Sequence, residues 1–224
     1  MRTIESMVIS GGSLADVGTD HGFIPLDLLA ENEIKYAILT DVNDSPLKLA
    51  KAHALEWGFD PAFYELRKGD GLTPLKEGEV DTVIIAGMGG ELIESILDND
   101  SVKAHSYRRF IFQPRTHAGE LRFYLSNNAF KIVDYRLVKE KGRICEVFAA
   151  EPVAAGQLEP DTDLVSKFLL SKNDPLIREF IDYKINVAES VLENLSNSDS
   201  DESHSLSAVW RSVLTELEEL RRSL

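Results

Sequence analysis

Five times between Ser13 and Asn127, a short β-branched or apolar run is followed by a stretch with helical spacing. That alternation leaves few folds open, because each strand–helix unit must lay its helix back on a parallel sheet. The runs are Ser13–Val17, Tyr36–Thr40, Tyr64–Arg67, Thr82–Ala86 and Phe110–Phe112. Thr82–Ala86 is continuously apolar, as a strand covered on both faces requires. Right-handed crossovers then gather all five strand C-termini on one rim. After residue 127 the pattern changes. Phe130–Lys139 and Arg143–Ala150 flank Glu140-Lys141-Gly142, a hairpin signal. The expected fold class is α/β: a Rossmann-like, mostly parallel sheet with one antiparallel edge strand.

Local signals sharpen the elements. Pro25 suits a first helical turn, giving a helix over Pro25–Glu31. Ser45-Pro46 opens the next, with Ser45 as N-cap, a buried face of Leu47, Ala50, Ala54 and Leu55, and Gly58 at its end. Glu151 to Asp163 reads as a linker, and Leu164–Leu170 as a short helix. Leu176, Phe180, Tyr183, Val187, Val191 and Leu195 then recur at steps of three or four, as do Leu206, Val209, Val213, Leu217, Leu220 and Leu224. The polar segment Ser196–Ser203 separates the two stripes, so the tail is expected to be an antiparallel, coiled-coil-like helical hairpin. Residues 1–151 and 152–224 form the two expected domains.

Composition excludes several chemistries. Cys145 is the sole cysteine, which removes disulfides and Cys-rich zinc sites. His21, His53, His105, His117 and His204 lie far apart, so no metal is expected. No apolar run approaches the ~20 residues of a membrane span, and MRTIESMVIS lacks a leader's apolar core, so a cytoplasmic location without membrane contact is expected. The net charge of −14 argues against a general nucleic-acid coat. Yet Lys103 to Arg143 holds ten basic residues against three acidic ones, a surface compatible with a shaped RNA or with scattered solvated charges.

In a doubly wound sheet, ligands bind beyond the strand C-termini. Those positions here are Asp16 with Gly18, Asp20, His21 and Gly22; then Asp41; Asp70-Gly71; Gly87-Met88-Gly89-Gly90; and Gln113 to Arg115. Carboxylates and glycines on one rim suit a nucleoside-type cofactor, either a dinucleotide or S-adenosyl-L-methionine. Asp41 sits near the spacing at which an acid bonds ribose hydroxyls. A dinucleotide site wants glycine where this chain has Asp20, and a carboxylate there repels pyrophosphate while tolerating an ammonium and a sulfonium. The preferred cofactor is therefore S-adenosyl-L-methionine.

With those residues in view, DVGTDHGFIP (16–25), DVNDSPLKLA (41–50), RKGDGL (67–72), IAGMGGELI (85–93) and FQPR (112–115) resemble the bacterial tRNA (adenine-22-N1)-methyltransferases, class I S-adenosyl-L-methionine-dependent enzymes. The resemblance covers about residues 2 to 151, and the helical tail matches the family's coiled-coil domain in kind. Family members carry a longer helix before the first strand, so the first helix is expected to be incomplete. The resemblance implies that Asp16, Gly18, Asp20 and Gly22 hold the methionine end of the cofactor, Asp41 the ribose, and Asp70 with Gly71 the adenine. Gly87, Met88 and Gly89 would position the target base, and His21 would line the same pocket. Asp20, His21 and Met88 are thus the catalytic candidates.

Neutral adenine N1 has an in-plane lone pair and needs no base, so positioning and stabilisation of the emerging positive charge by Asp20 are expected to carry the reaction. The implied partner is tRNA, with Arg115, Arg122, Arg136, Lys139 and Lys141 as candidate RNA contacts, on a monomer or weak dimer. Structural alternatives stand beside these roles. Asp16 could cap its own turn, Asp41 could start a helix, His21 could be a satisfied structural histidine, and Met88 could be packing. A small-molecule methyltransferase, a silent RNA-binding protein on the same fold and an NAD-dependent dehydrogenase are the competing functions.

Overall fold

A computed structural model describes residues 1–197 and 201–224. In chain order the elements begin with α1 (Arg2–Glu5), β1 (Gly12–Val17), α2 (Phe23–Ala30), β2 (Ile34–Asp41) and α3 (Asp44–Glu56). A 3-10 turn at Pro61–Phe63 leads into β3 (Tyr64–Lys68), then β4 (Thr82–Met88), α4 (Gly90–Asp98), α5 (Ser101–Ala104), β5 (Arg109–Pro114) and α6 (Ala118–Asn127). The hairpin is β6 (Phe130–Glu140) and β7 (Arg143–Pro152), and α7 (Lys167–Ser171), α8 (Ile177–Ser196) and α9 (Asp201–Ser223) complete the chain.

The seven strands form one sheet in the order β3-β2-β1-β4-β5-β7-β6. Strands β1 to β5 are parallel, and β7 runs antiparallel to β5, with Phe112 opposite Phe148. The expected Rossmann-like sheet is therefore present, with the hairpin on one side and β6 outermost. Leu14, Ala15, Ile38, Leu39, Val83, Ile84, Ile85, Phe110, Ile111 and Phe148 are wholly or almost wholly buried, as central strands covered on both faces must be. The hairpin turns on Lys141 and Gly142, both at positive φ, which matches the right-handed twist of the strands it joins.

Two helix starts differ from expectation. Helix α2 begins at Phe23, because Gly22 enters the left-handed region and serves as its N-cap. Asn43 rather than Ser45 caps α3, because the Asp41 carboxylate accepts from the Asn43 N–H at 2.7 Å and starts the turn early.

The chain divides into two compact units, Met1–Arg136 with Cys145–Asp161, and Leu137–Ile144 with Thr162–Leu224. Within the second, the Leu137 N–H donates to Asp174 at 3.0 Å and Lys139 pairs with Glu179 at 2.6 Å, so the hairpin tip belongs with the helices. Helices α8 and α9 pair antiparallel, with Asp182 near the start of one bonded to Arg221 near the end of the other. Their seam is rotated from the expected stripes. Ile177, Phe180, Ile181, Ala188 and Leu217 are buried, whereas Tyr183, Val187, Leu206 and Val209 face solvent. The centre of the expected polar loop, 198–200, lies outside the described residues. Among the described residues, no helix is long and apolar enough to cross a membrane.

Candidate cofactor and substrate site

The turn after β1 is fixed by two hydrogen bonds and two close approaches. Gly18 and Thr19 both donate their N–H groups to the Thr40 carbonyl at 2.9 Å, tying the turn to the end of β2. Gly18 sits at φ +76°, and a Cβ there would lie 2.1 Å from Met88 Cε. The methionine thus occupies the space a side chain would need, and joins the ends of β1 and β4. Gly22, at φ +72°, brings α2 against α3, where a Cβ would lie 2.7 Å from Leu39 Cδ2 and 3.0 Å from Ala50 Cβ.

Asp16 stands beneath this turn, 9% exposed. Burial pushes its carboxyl up to about 6, with the Thr19 hydroxyl drawing it partly back. No cation contributes to that balance. The Thr40 hydroxyl is buried without a hydrogen-bond partner among the described residues. A buried carboxyl that meets no cation, held in a strand-end turn, forms an environment suited to an ammonium ion, since a buried charge is costly unless paired.

The remaining rim residues take the positions the sequence led us to expect. One Asp41 oxygen is used by Asn43, and the other takes no hydrogen bond among the described residues. The Asp41 carbonyl accepts from the Gly69 N–H at 3.0 Å, which brings the β3 loop to the end of β2. Gly71, at φ +51°, packs against Ile96, while the Asp70 carbonyl takes the Thr73 N–H and hydroxyl. Asp20 is 81% exposed in its side chain and lies 3.3 Å from His21 Nε2. Buried His21 Nδ1 meets no partner, and the His21 carbonyl accepts from His53 Nδ1 at 2.9 Å. These groups—buried carboxyl, half-used carboxylate, and glycines that admit backbone approach—fit the amino, ribose and base ends of S-adenosyl-L-methionine.

Beside them, β4 ends in a register shift between Ala86 and Met88, a local irregularity of the kind found next to active sites. The Met88 carbonyl accepts from the Arg115 N–H, and the Gly90 N–H donates to the Thr116 carbonyl at 2.9 Å. A Cβ on Gly90 would lie 2.4 Å from the His117 carbonyl oxygen, and one on Gly89 would lie 3.1 Å from Thr116 Oγ1. His117 is at φ +56°, with its ring 3.7 Å from Glu91. Thr40, Thr116 and His117 were not expected at the site, whereas the doubled glycine after Met88 had marked Gly90. Threonine hydroxyls are too common to stand out in a sequence.

Among the expected RNA contacts, Arg115 is exposed beside Gly87, its Nε 3.7 Å from where a Cβ would sit. Lys141 is exposed at the hairpin turn. Arg122 is a correction. It is 1% exposed and its guanidinium lies 3.2 Å from Asp161 and 3.5 Å from Glu146, so a structural network consumes it. Arg136 pairs with Asp134, and Lys139 with Glu179. Lys103, Arg108 and Arg109 likewise pair with Asp100, Asp81 and Glu151, so much of the expected basic surface is neutralised by acids from elsewhere in the chain.

Strand order, glycine turn and rim carboxylates together define a nucleoside-cofactor enzyme of the class I methyltransferase type. The chain belongs to the methyltransferase-domain family, whose model matches residues 1–148. It is 29% identical over 206 residues to the tRNA (adenine(22)-N(1))-methyltransferase of Bacillus subtilis, covering 88% of this chain and 85% of that protein. The crystal structure of the B. subtilis m1A22 tRNA methyltransferase TrmK superposes with a TM-score of 0.83 at 26% identity, covering 98% of this chain and 96% of that one. A candidate tRNA (m1A22) methyltransferase of Streptococcus pneumoniae, solved with S-adenosyl-L-methionine, gives 0.83 at 27% identity over 98% and 97% of the two chains.

Proposed function

We propose that this chain transfers a methyl group from S-adenosyl-L-methionine to N1 of adenine 22 in tRNA. The observation that carries the cofactor is Asp16, a buried carboxyl without a cation, in a turn where Asp20 replaces the glycine a pyrophosphate needs. The substrate follows from similarity to the B. subtilis enzyme along most of both chains.

In this reading Asp16 accepts from the cofactor's ammonium, and the turn Gly18 to Gly22 lies against its methionine end. The unused oxygen of Asp41 takes a ribose hydroxyl, and Asp70-Gly71 borders the adenine. S-adenosyl-L-methionine supplies an electrophilic methyl group on a sulfonium when bound. Gly87, Met88 and Gly89 present the backbone against which the target base is held, and Gly90 with Thr116 keeps that segment rigid. Adenine N1 attacks with its own lone pair, so these residues act by alignment. As N1 becomes quaternary, positive charge spreads over the base, and Asp20 with His21 at its side stabilises it. Arg115 meets a phosphate as the base leaves its stack. Residues 1–151 form the catalytic domain and 152–224 a helical domain that adds RNA surface. We also propose action in the cytoplasm, as a monomer or weak dimer, without a metal.

Incubation of bulk tRNA with labelled cofactor, followed by nucleoside analysis, tests this. N1-methyladenosine is expected. Label in a small molecule only, or in another nucleoside, would replace the proposal.

A further inference from the structure

Past His21, the cofactor turn continues into aromatic rings (Phe23, His53 and Trp57) that the methyl-transfer reading leaves without a role. Phe23 is the hub. Its ring lies 5.3 Å from His21, 4.7 Å from His53 and 6.4 Å from Trp57, with interplanar angles of 17°, 22° and 28°. Phe59 extends the set beyond Trp57. Large aromatics in a folded domain ordinarily lie inside, yet Phe23 and Trp57 are 37% and 43% exposed. The Gly22–Ala50 approach holds the two helices together, and the His53–His21 hydrogen bond fixes the imidazoles, so each of the other three rings lies within 28° of the Phe23 plane while the two imidazoles tilt by 36°. Leu49, also exposed, stands on α3 one turn before His53.

We propose that the terrace of His21, Phe23, His53 and Trp57 stacks an unpaired nucleobase of the tRNA substrate, next to the base being methylated. The proposal rests on the tRNA reading above. Three observations favour a base as the occupant. The terrace is continuous with the methyl-transfer site through His21, which adjoins Asp20. A protein of net charge −14, with six of the ten basic side chains on its basic segment already paired with acids, gains from a source of RNA affinity besides phosphate contact. Near-parallel rings, two of them imidazoles, offer π-faces and edge nitrogens, the surface on which unstacked RNA bases are recognised.

The chain has two tryptophans, so Trp210→Phe leaves Trp57 as the sole tryptophan, excited selectively on the red edge beyond tyrosine absorption. Titration of that variant with tRNA is expected to change Trp57 emission saturably, with the affinity measured by gel shift. Trp57→Ala is expected to raise Kd and KM for tRNA about five- to 100-fold. Cofactor affinity, melting temperature and the salt dependence of tRNA binding should stay at wild-type values, and Trp57→Phe should recover most of the loss. Wild-type tRNA affinity in Trp57→Ala overturns the stacking role alone. So does a parallel loss of cofactor affinity, which would make the rings packing for the cofactor turn. Conversion of a dimer to a monomer by Trp57→Ala, seen in sedimentation, would show that a second copy covers the terrace and would also overturn it. Failure of the unmodified protein to bind any tRNA would remove the substrate reading first, and this proposal with it.

Discussion

Asp16→Asn is the perturbation with the most to say, because the structure fixes its sign in two assays at once. The Asp16 carboxyl is raised from 3.8 to about 6 by burial. Between those two values the folded chain holds a proton that the unfolded chain has released, so this group makes stability fall as pH rises through the window. Above it, the ionised carboxylate costs about 3 kcal/mol relative to the unfolded chain. In the cofactor-free protein Asp16→Asn is therefore expected to be stabilising at pH 7.5, by up to about 3 kcal/mol, or about 6–12 °C in melting temperature. That advantage should fall below about 1 kcal/mol by pH 4, where the folded chain is protonated and the unfolded chain partly so. Cofactor binding should behave oppositely. An ammonium pairs only with the ionised carboxylate, so wild-type affinity for S-adenosyl-L-methionine should rise about 100-fold from pH 4 to pH 7.5. In Asp16→Asn it should be weaker and nearly flat. Thermal melts and calorimetric titrations over that range measure both. Loss of stability in cofactor-free Asp16→Asn at pH 7.5, or unchanged cofactor affinity, would refute the reasoning.

Four other substitutions separate structural from functional roles. Arg122→Ala should cost about 3–5 kcal/mol in chemical denaturation, because Glu146 and Asp161 would lose the buried cation between them. Arg115→Gln should leave stability alone and reduce the slope of log affinity for tRNA against log salt by about one. Gly90→Ala, which drives a Cβ into the His117 carbonyl, should cost about 1–3 kcal/mol in the melt, whereas Gly11→Ala meets open space and pays only for its positive φ. Asp20→Ala should lower turnover about 100-fold at saturating cofactor, while exposed Asp44, paired with Lys68, should tolerate alanine. Equal effects of the two on turnover would remove Asp20 from the reaction.

The sheet was legible because its signals are local. A continuous apolar run such as Thr82–Ala86 can only be a central strand, and the Lys141-Gly142 turn marks its hairpin wherever it lies. The rim was legible for the same reason, since strand-end residues follow from the crossover rule without knowledge of packing. What escaped depends on contacts distant in sequence. Arg122 looks like any surface arginine until Asp161 and Glu146 close over it. The basic segment looks cationic until Asp81 and Glu151 are brought beside Arg108 and Arg109. Helix seams fall in the same class. Leu206 and Val209 keep apolar spacing, yet α9 turns Ser203 and Leu217 inward because α8 presents Phe180, Ile181 and Ala188 to be covered. The aromatic terrace was hidden similarly, since Phe23 and Trp57 are 34 residues apart and are brought together by the Gly22–Ala50 approach and the His53–His21 hydrogen bond.

The central claim is that this rim directs a methyl group to adenine N1 at position 22 of tRNA. A pair of tRNA transcripts identical except for A22 or G22, each incubated with protein and cofactor, tests it directly. N1 methylation blocks the pairing edge, so reverse transcription should stop beside position 22 in the A22 transcript only, and only with cofactor present. A stop elsewhere, or equal labelling of the two transcripts, would contradict the account.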